Sequence, residues 1–283
     1  MPYDTVISAE QLLKLQINGA RVVLLDCGFD LGNPAAGEAA YTAGHLSGAQ
    51  YAHLDRDLSG SKTGSNGRHP LPSREALAAR AGQWGIVPGV QVVVYDDQGS
   101  PYAARAWWLL RWLGHAEVAV LDGGRAAWLD RGGTLTQATE AATPCPPYPA
   151  MPAAMPTLNA EQLRARLPQL RSRSLILLDA RVGERFRGEV EPLDPVAGHI
   201  PGATLRFFKD NLGPDGHFKP AAVLHAEFGA LGATAGTVQQ CGSGVTACHN
   251  LLAMAHAGLG ISTLYPGSWS EWCSDPARPV EKG

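Results

Sequence analysis

Charge is sparse in this sequence. Only 17% of its 283 residues are Asp, Glu, Lys or Arg, and 23 basic against 26 acidic residues leave a net charge of −3. A general nucleic-acid binder carries a basic surplus to meet phosphate, and none is present. No apolar run approaches the roughly 18 residues of a membrane span, so neither nucleic acid nor membrane is expected as a partner. The first residues, Met1-Pro2-Tyr3-Asp4-Thr5, lack the basic and apolar regions of a secretory leader, and the expectation is a cytoplasmic protein. Cysteine is scarce as well. The five, Cys27, Cys145, Cys241, Cys248 and Cys273, are odd in number and scattered, which speaks for reduced thiols and against a disulfide scaffold. With no CxxC pair and no Cys/His cluster at zinc spacing, no metal is expected.

What is plentiful is glycine and proline, 33 and 21 residues, rich in turns yet short of the roughly 25–30% of low-complexity chains. The length suits about two domains, and an internal repeat supplies them. Val22-Val23-Leu24-Leu25-Asp26 is echoed by Leu175-Ile176-Leu177-Leu178-Asp179, each an apolar run of strand length ending in aspartate. Ala43-Gly44-His45-Leu46-Ser47-Gly48-Ala49 matches Ala197-Gly198-His199-Ile200-Pro201-Gly202-Ala203, and Gly123…Trp128 matches Gly267…Trp272, in the same order and at similar separations. The copies are divided by Pro-rich sequence, and the expected organisation is a first domain over 1–140, a linker over 141–156 and a second domain over 157–283. Strand-like runs such as Val92-Val93-Val94-Tyr95 alternate with helical patterns such as Ala103 to Leu113, whose Trp108, Leu109 and Trp112 form a core face. The alternation predicts an α/β fold in duplicate, each copy a mainly parallel sheet flanked by helices.

The chemistry concentrates in Val238-Gln239-Gln240-Cys241-Gly242-Ser243-Gly244-Val245-Thr246-Ala247, followed by a helical pattern to about Ala257. A strand ends, a loop with two glycines curls around one cysteine, and a helix begins. Small residues let backbone N–H groups face the sulfur as an anion nest, and the helix N-terminus adds partial positive charge. Both favour thiolate, the nucleophilic form. Cys248, inside the helix, and Cys27, after a strand, read as core; Cys145 and Cys273 carry no legible chemistry. At the equivalent place in the first half, Tyr95-Asp96-Asp97-Gln98-Gly99-Ser100-Pro101 puts Asp96 where the cysteine would stand, so the first half should be catalytically silent.

Over nearly its whole length, from about Leu24 to about Trp272, the chain resembles the tandem-domain rhodanese-like sulfurtransferases. The resemblance rests on the paired His segments, the aspartate-for-cysteine exchange, the Gly-Ser-Trp-Ser-Glu-Trp stretch at 267–272 and the active loop. It implies two tandem rhodanese-like domains. The loop from Cys241 to Thr246 is similar to that of the 3-mercaptopyruvate-specific members, whereas thiosulfate-specific members place Arg and Lys after the cysteine. Thiosulfate is a compact dianion that two cations would favour, and Gly242 and Ser243 supply none. Mercaptopyruvate asks for a more distant arginine and for a hydroxyl near the developing enolate, which Ser243 can be. A serine that only caps the following helix is the alternative.

By the same resemblance, Arg185 falls on the substrate-binding arginine and Asp179 with Arg181 on a pair that braces the loop. A second arginine that some members carry near Leu193-Asp194 is missing here, and Arg206 is the candidate substitute. His45 falls on a histidine that works with the loop serine, though its acidic partner is not carried over: Asn33 stands there, with Asp30 and Glu38 nearby, and a helix-capping or packing role is the alternative. His199 reads as the architectural mate of His45. The run Gly67-Arg68-His69-Pro70, in a polar loop of the first half, is a further candidate to reach the cleft.

The expected reaction takes sulfur from 3-mercaptopyruvate onto Cys241 as a persulfide and passes it to a thiol, a thioredoxin-like protein or cyanide, with no cofactor. Thiosulfate as donor is the alternative. A cysteine-dependent phosphatase would need an arginine six residues after the cysteine, where Ala247 stands, and a non-enzymatic sulfur-binding module commonly lacks the loop cysteine that this chain keeps.

Overall fold

The computed structural model describes residues 2–139, 142–149 and 151–283. Positions 141 and 150, within the expected linker, lie outside the described residues. The chain forms two compact units: Met1–Gly60, Pro72–Ala154 and Pro214–Phe218 make the first, and Ser61–Leu71, Met155–Gly213 and Lys219–Gly283 the second. The units are therefore not contiguous halves. Ser61–Leu71, which a division in the Pro-rich region assigns to the first half, packs with the second unit.

The first unit is built on five strands, β1 (Val6–Ile7), β2 (Val22–Asp26), β4 (Ala49–Tyr51), β5 (Gln91–Tyr95) and β6 (Val118–Leu121), in the order β1-β6-β5-β2-β4. Every pairing is parallel. A small antiparallel pair, β3 (His45–Leu46) with β7 (Leu135–Thr136), lies beside it. Parallel strands need crossover connections, which carry α1 (Ala9–Ile17), α2 (Ala36–Ala43), α3 (Arg74–Gln83) and α4 (Pro101–Leu113) here; α5 (Gly124–Asp130) follows the last of these strands, β6. Ser8 and Gln11 close a capping box that starts α1, and Ser73 caps α3. Helix α4 is buried almost all round: Trp108 and Leu109 of the expected core face are fully covered, as is Trp107, whereas Trp112 is only half-buried. The start of the Pro-rich segment is tied down: Cys145 and Tyr148 donate their amides to the Gly82 and Ala78 carbonyls of α3, and Tyr148 is buried.

The second unit repeats the plan with β8 (Leu177–Asp179), β9 (Thr204–Leu205), β10 (Val238–Gln240) and β11 (Thr263–Leu264) in the order β11-β10-β8-β9, all parallel. A parallel bridge from Thr157 to Leu264 stands in for the β1–β6 pairing, and an antiparallel bridge from His199 to Glu281 for β3–β7. Its helices are α6 (Ala160–Arg164), α7 (Leu167–Arg171), α8 (Gly183–Arg187), α9 (Ala221–Ala230), α10 (Ala247–His256) and α11 (Ser268–Trp272). Leu163, Leu177, Ile200, Val238, Tyr265, Trp269 and Trp272 form a core of this unit. Trp269 and Trp272 are fully buried, which accounts for the Trp-rich stretch at 267–272.

Candidate active site

Strand β10 ends at Gln240, in register with Asp179 at the end of β8, so the loop that follows sits at the carboxyl ends of parallel strands. Cys241 is 1% exposed. Its Sγ accepts the Gly244 N–H at 3.2 Å, the one loop amide seen to face the sulfur among the described contacts. Gly244 has φ +78°, and a Cβ there would lie 2.2 Å from the Pro266 carbonyl oxygen, so only glycine brings its amide to this place. The Gly-Ser-Trp-Ser-Glu-Trp stretch cradles the loop from behind. Ser268 Oγ accepts the Cys241 N–H at 3.1 Å, and the amides of Trp269 and Ser270 donate to the Cys241 and Gly242 carbonyls at 3.0 and 2.9 Å. Val245 and Thr246 lead into α10, their carbonyls accepting the amides of Cys248 and His249.

Ser243 is buried, and its Oγ is 2.7 Å from Nδ1 of His69, itself 4% exposed. The histidine beside the loop serine is thus His69 and not His45, a correction to the sequence reading. In the first unit, the His45 ring stacks on Tyr41 at 3.8 Å and its Nδ1 bonds the Tyr41 carbonyl. His199 repeats this in the second unit, stacked on Phe186 at 4.0 Å with Nδ1 on the Phe186 carbonyl. A repeated histidine doing the same local task twice is an architectural one. The acidic neighbours sought for His45 are engaged elsewhere: Asp30 accepts the Gly32 and Asn33 amides of its own turn, and Glu38 pairs with Arg56.

Arg185 lies beside the loop, held by Glu191 at 2.7 Å and Asp194 at 3.2 Å. A Cβ on Gly242 would lie 3.3 Å from Arg185 Nη1 and 2.9 Å from Nη2 of a second arginine, Arg68, which pairs with Asp194. The missing side chain of Gly242 thus admits two guanidinium groups. The loop itself carries no cation, yet two stand next to it. Arg206 does not: it is spent on Asn211 and on Glu227 at 2.7 Å, over the ring of Phe228. Asp179 and Arg181 form a buried pair at 2.7 Å, with Arg181 also on the Gly198 carbonyl and over the Trp269 ring. Burial works against the Arg181 charge, but Asp179, Glu191 and the Cys241 sulfur outweigh it and raise its pKa. Carboxylates and guanidiniums alternate from Asp179 through Arg181, Glu191, Arg185 and Asp194 to Arg68. Three of each sign leave the surroundings of Cys241 neutral along this chain.

The other cysteines are quiet. Burial raises the Cys27 thiol pKa well above its ordinary value and pushes Cys273 up to about 11. Cys248 is buried and donates to the Gly244 carbonyl. In the first unit the counterpart of the cysteine, Asp96, accepts amides from Gln98, Ser100, Tyr102 and Ala103 at 2.8–2.9 Å, filling with its own carboxylate the nest the loop would offer an anion.

The Rhodanese-like domain family model matches residues 8–131. Over 98% of this chain and 100% of the relative, the sequence is 48% identical to a probable 3-mercaptopyruvate sulfurtransferase of Pseudomonas aeruginosa. The chain belongs to the rhodanese family. Its rhodanese relatives carry the names of both donors, for it is also 38% identical to the thiosulfate sulfurtransferase of Bos taurus, over 71% of this chain and 69% of that one. Among solved structures, the rhodanese fold of SseA from Escherichia coli, a 3-mercaptopyruvate sulfotransferase, covers 95% of this chain and 100% of its own, with TM-score 0.76 and 29% identity. Among the described residues no cluster of His, Cys, Asp and Glu could hold a metal ion, and no helix is long and apolar enough to cross a membrane.

Proposed function

We propose that this rhodanese moves sulfur from 3-mercaptopyruvate to a thiol acceptor through a persulfide on Cys241. The Cys241 thiolate attacks the donor's sulfur; the S–S bond forms as the donor's C–S bond breaks, and the carbon fragment leaves as the enolate of pyruvate. The donor's thiol proton ends on the methyl carbon of pyruvate. An acceptor thiolate then attacks the outer sulfur and releases the Cys241 thiolate. In this reading the Gly244 N–H, already on the sulfur, steadies the anion between steps.

One observation carries the choice of donor: the hydrogen bond to His69 made by Ser243, two residues after the nucleophile in the same loop. Thiosulfate releases sulfite and has no enolate to protonate, so a buried hydroxyl–imidazole pair has nothing to do in that reaction. With mercaptopyruvate the Ser243 hydroxyl donates to the enolate oxygen as charge develops there, and His69 relays the donor's thiol proton toward the pyruvate carbon. The balanced chain of charges points the same way, since a dianion gains little from arginines already neutralised by Asp194 and Glu191. Arg185 and Arg68 remain able to orient one carboxylate.

The experiment is steady-state kinetics with both donors, with mass spectrometry after donor addition. The expected results are a higher kcat/KM for 3-mercaptopyruvate and a gain of about 32 Da, one sulfur atom, that is absent from Cys241→Ser. Greater efficiency with thiosulfate would replace the donor. A gain that persists in the variant would move the nucleophile.

A further inference from the structure

We propose that Arg68, on the Ser61–Leu71 segment, is the second anchor for the donor's carboxylate and sets the preference for a keto acid. The inference rests on the reading above and names a residue of its site. The argument begins with Asp194, whose side chain is 3% exposed and whose two oxygens are shared, Oδ1 with Arg68 Nη1 and Oδ2 with Arg185 Nη2. Arg185 has two of its nitrogens on Glu191 as well. Arg185 is thus held through Nε and Nη2 and Arg68 through Nη1, and Arg68 Nη2 and Arg185 Nη1 are the nitrogens nearest one point above Gly242, at 2.9 and 3.3 Å from it. The two cannot be more than about 6 Å apart, a gap that one carboxylate bridges with an ordinary charge-assisted bond to each side.

The arrangement is built and not incidental. The backbone that carries Arg68 is held by its own amide on Ser270 Oγ at 3.1 Å, one residue after Trp269, which binds the loop carbonyl of Cys241. The next residue, His69, meets Ser243. One short segment therefore delivers both a cation for the carboxylate and an imidazole for the ketone, the two groups that distinguish mercaptopyruvate from a simple thiol. Arg206, the alternative by sequence, has its guanidinium on Asn211 and Glu227 and is 9% exposed.

The test compares the full-length protein with Arg68→Ala and Arg68→Lys. Read-outs are KM and kcat for 3-mercaptopyruvate, and direct calorimetric binding of pyruvate, which has the carboxylate and ketone without sulfur. Losing one charged hydrogen bond corresponds to about ten- to hundredfold in binding. Arg68→Ala should raise KM and weaken pyruvate binding by that factor with kcat within about threefold, and Arg68→Lys, a point charge without the fork, should fall between. Unchanged KM and pyruvate binding in both variants would overturn the assignment. So would a collapse of kcat with pyruvate binding intact, which would make Arg68 only a support for His69. If the unaltered protein forms persulfide from thiosulfate and none from mercaptopyruvate, the donor reading fails, whereas the pyruvate measurement still tests the anchor.

Discussion

Asp194 joins Arg68 to Arg185, giving one carboxylate oxygen to each guanidinium. It is the last acid of the alternating chain that begins at Asp179, and it keeps two cations beside Cys241 from acting as a net dipositive patch. Replacing it changes the charge at the loop by one unit while leaving the nucleophile in place. Asp194→Asn should therefore shift donor preference toward the dianion: the ratio of kcat/KM for thiosulfate to that for 3-mercaptopyruvate should rise by about tenfold, the size of one charge interaction of about 1.4 kcal/mol at a partly buried site. The rise should shrink with added salt, since the second charge of thiosulfate is then screened. A ratio that stays constant or falls would mean that Asp194 only ties down the loop.

The fold was legible because each strand announces itself twice. Val22–Asp26 and the run ending at Asp179 carry the same pattern, and the sheets they form have the same order, although β8 begins only at Leu177. Cys241 was legible because the strand, the glycines and the helix are consecutive in the chain. Arg185, Asp179, Arg181 and the run at 67–70 were candidates, but which partner each of them meets was not legible, because the site is assembled from distant segments. His69 and Ser243 are 174 positions apart, and no local pattern links them. The repeated histidines drew attention for the wrong reason: what both units need is the ring stacked on Tyr41 or Phe186, which is a packing requirement. Ser268 was hidden differently, as one residue of a motif notable for its tryptophans, with nothing in the sequence to mark its backbone conformation.

That conformation carries a prediction. Ser268 has φ +53°, a left-handed geometry unusual for a residue with a side chain, and it is fully buried. Its counterpart in the first-half repeat is Gly124, with φ +57°. The second unit has kept the conformation and put a hydroxyl on it, which accepts the Cys241 amide and donates to the Tyr265 carbonyl at 2.9 Å. Ser268→Ala should keep the strain and lose the bonds, destabilising the protein by about 1–3 kcal/mol in denaturant unfolding. Ser268→Gly should lose the same bonds but relieve strain worth about 1 kcal/mol, and so be the more stable of the two. Both should slow persulfide formation alike, since both release the Cys241 amide. Equal stability of the two variants would show that the backbone there is not strained.

Asp96 gives the first unit a pH dependence of unusual sign. Burial pushes its carboxyl up to about 6 from 3.8, against four backbone amides that favour the charged form. Because the folded-state pKa lies above the unfolded one, the contribution of this group is fully present below about pH 4 and is lost as pH rises through about 6. Between those limits the unfolded chain ionises first and draws the equilibrium toward itself. The shift amounts to about 3 kcal/mol at 1.36 kcal/mol for each pH unit. Asp96→Asn has no such ionisation. It should cost stability at every pH by losing acceptors, but the gap between it and the unaltered protein, followed by urea unfolding, should narrow by about that amount from pH 4 to pH 7. Carbon-13 NMR of the Asp96 carboxyl should show its midpoint near 6; a midpoint at or below the ordinary aspartate value would mean that the four amides outweigh burial, and the gap would then widen with pH.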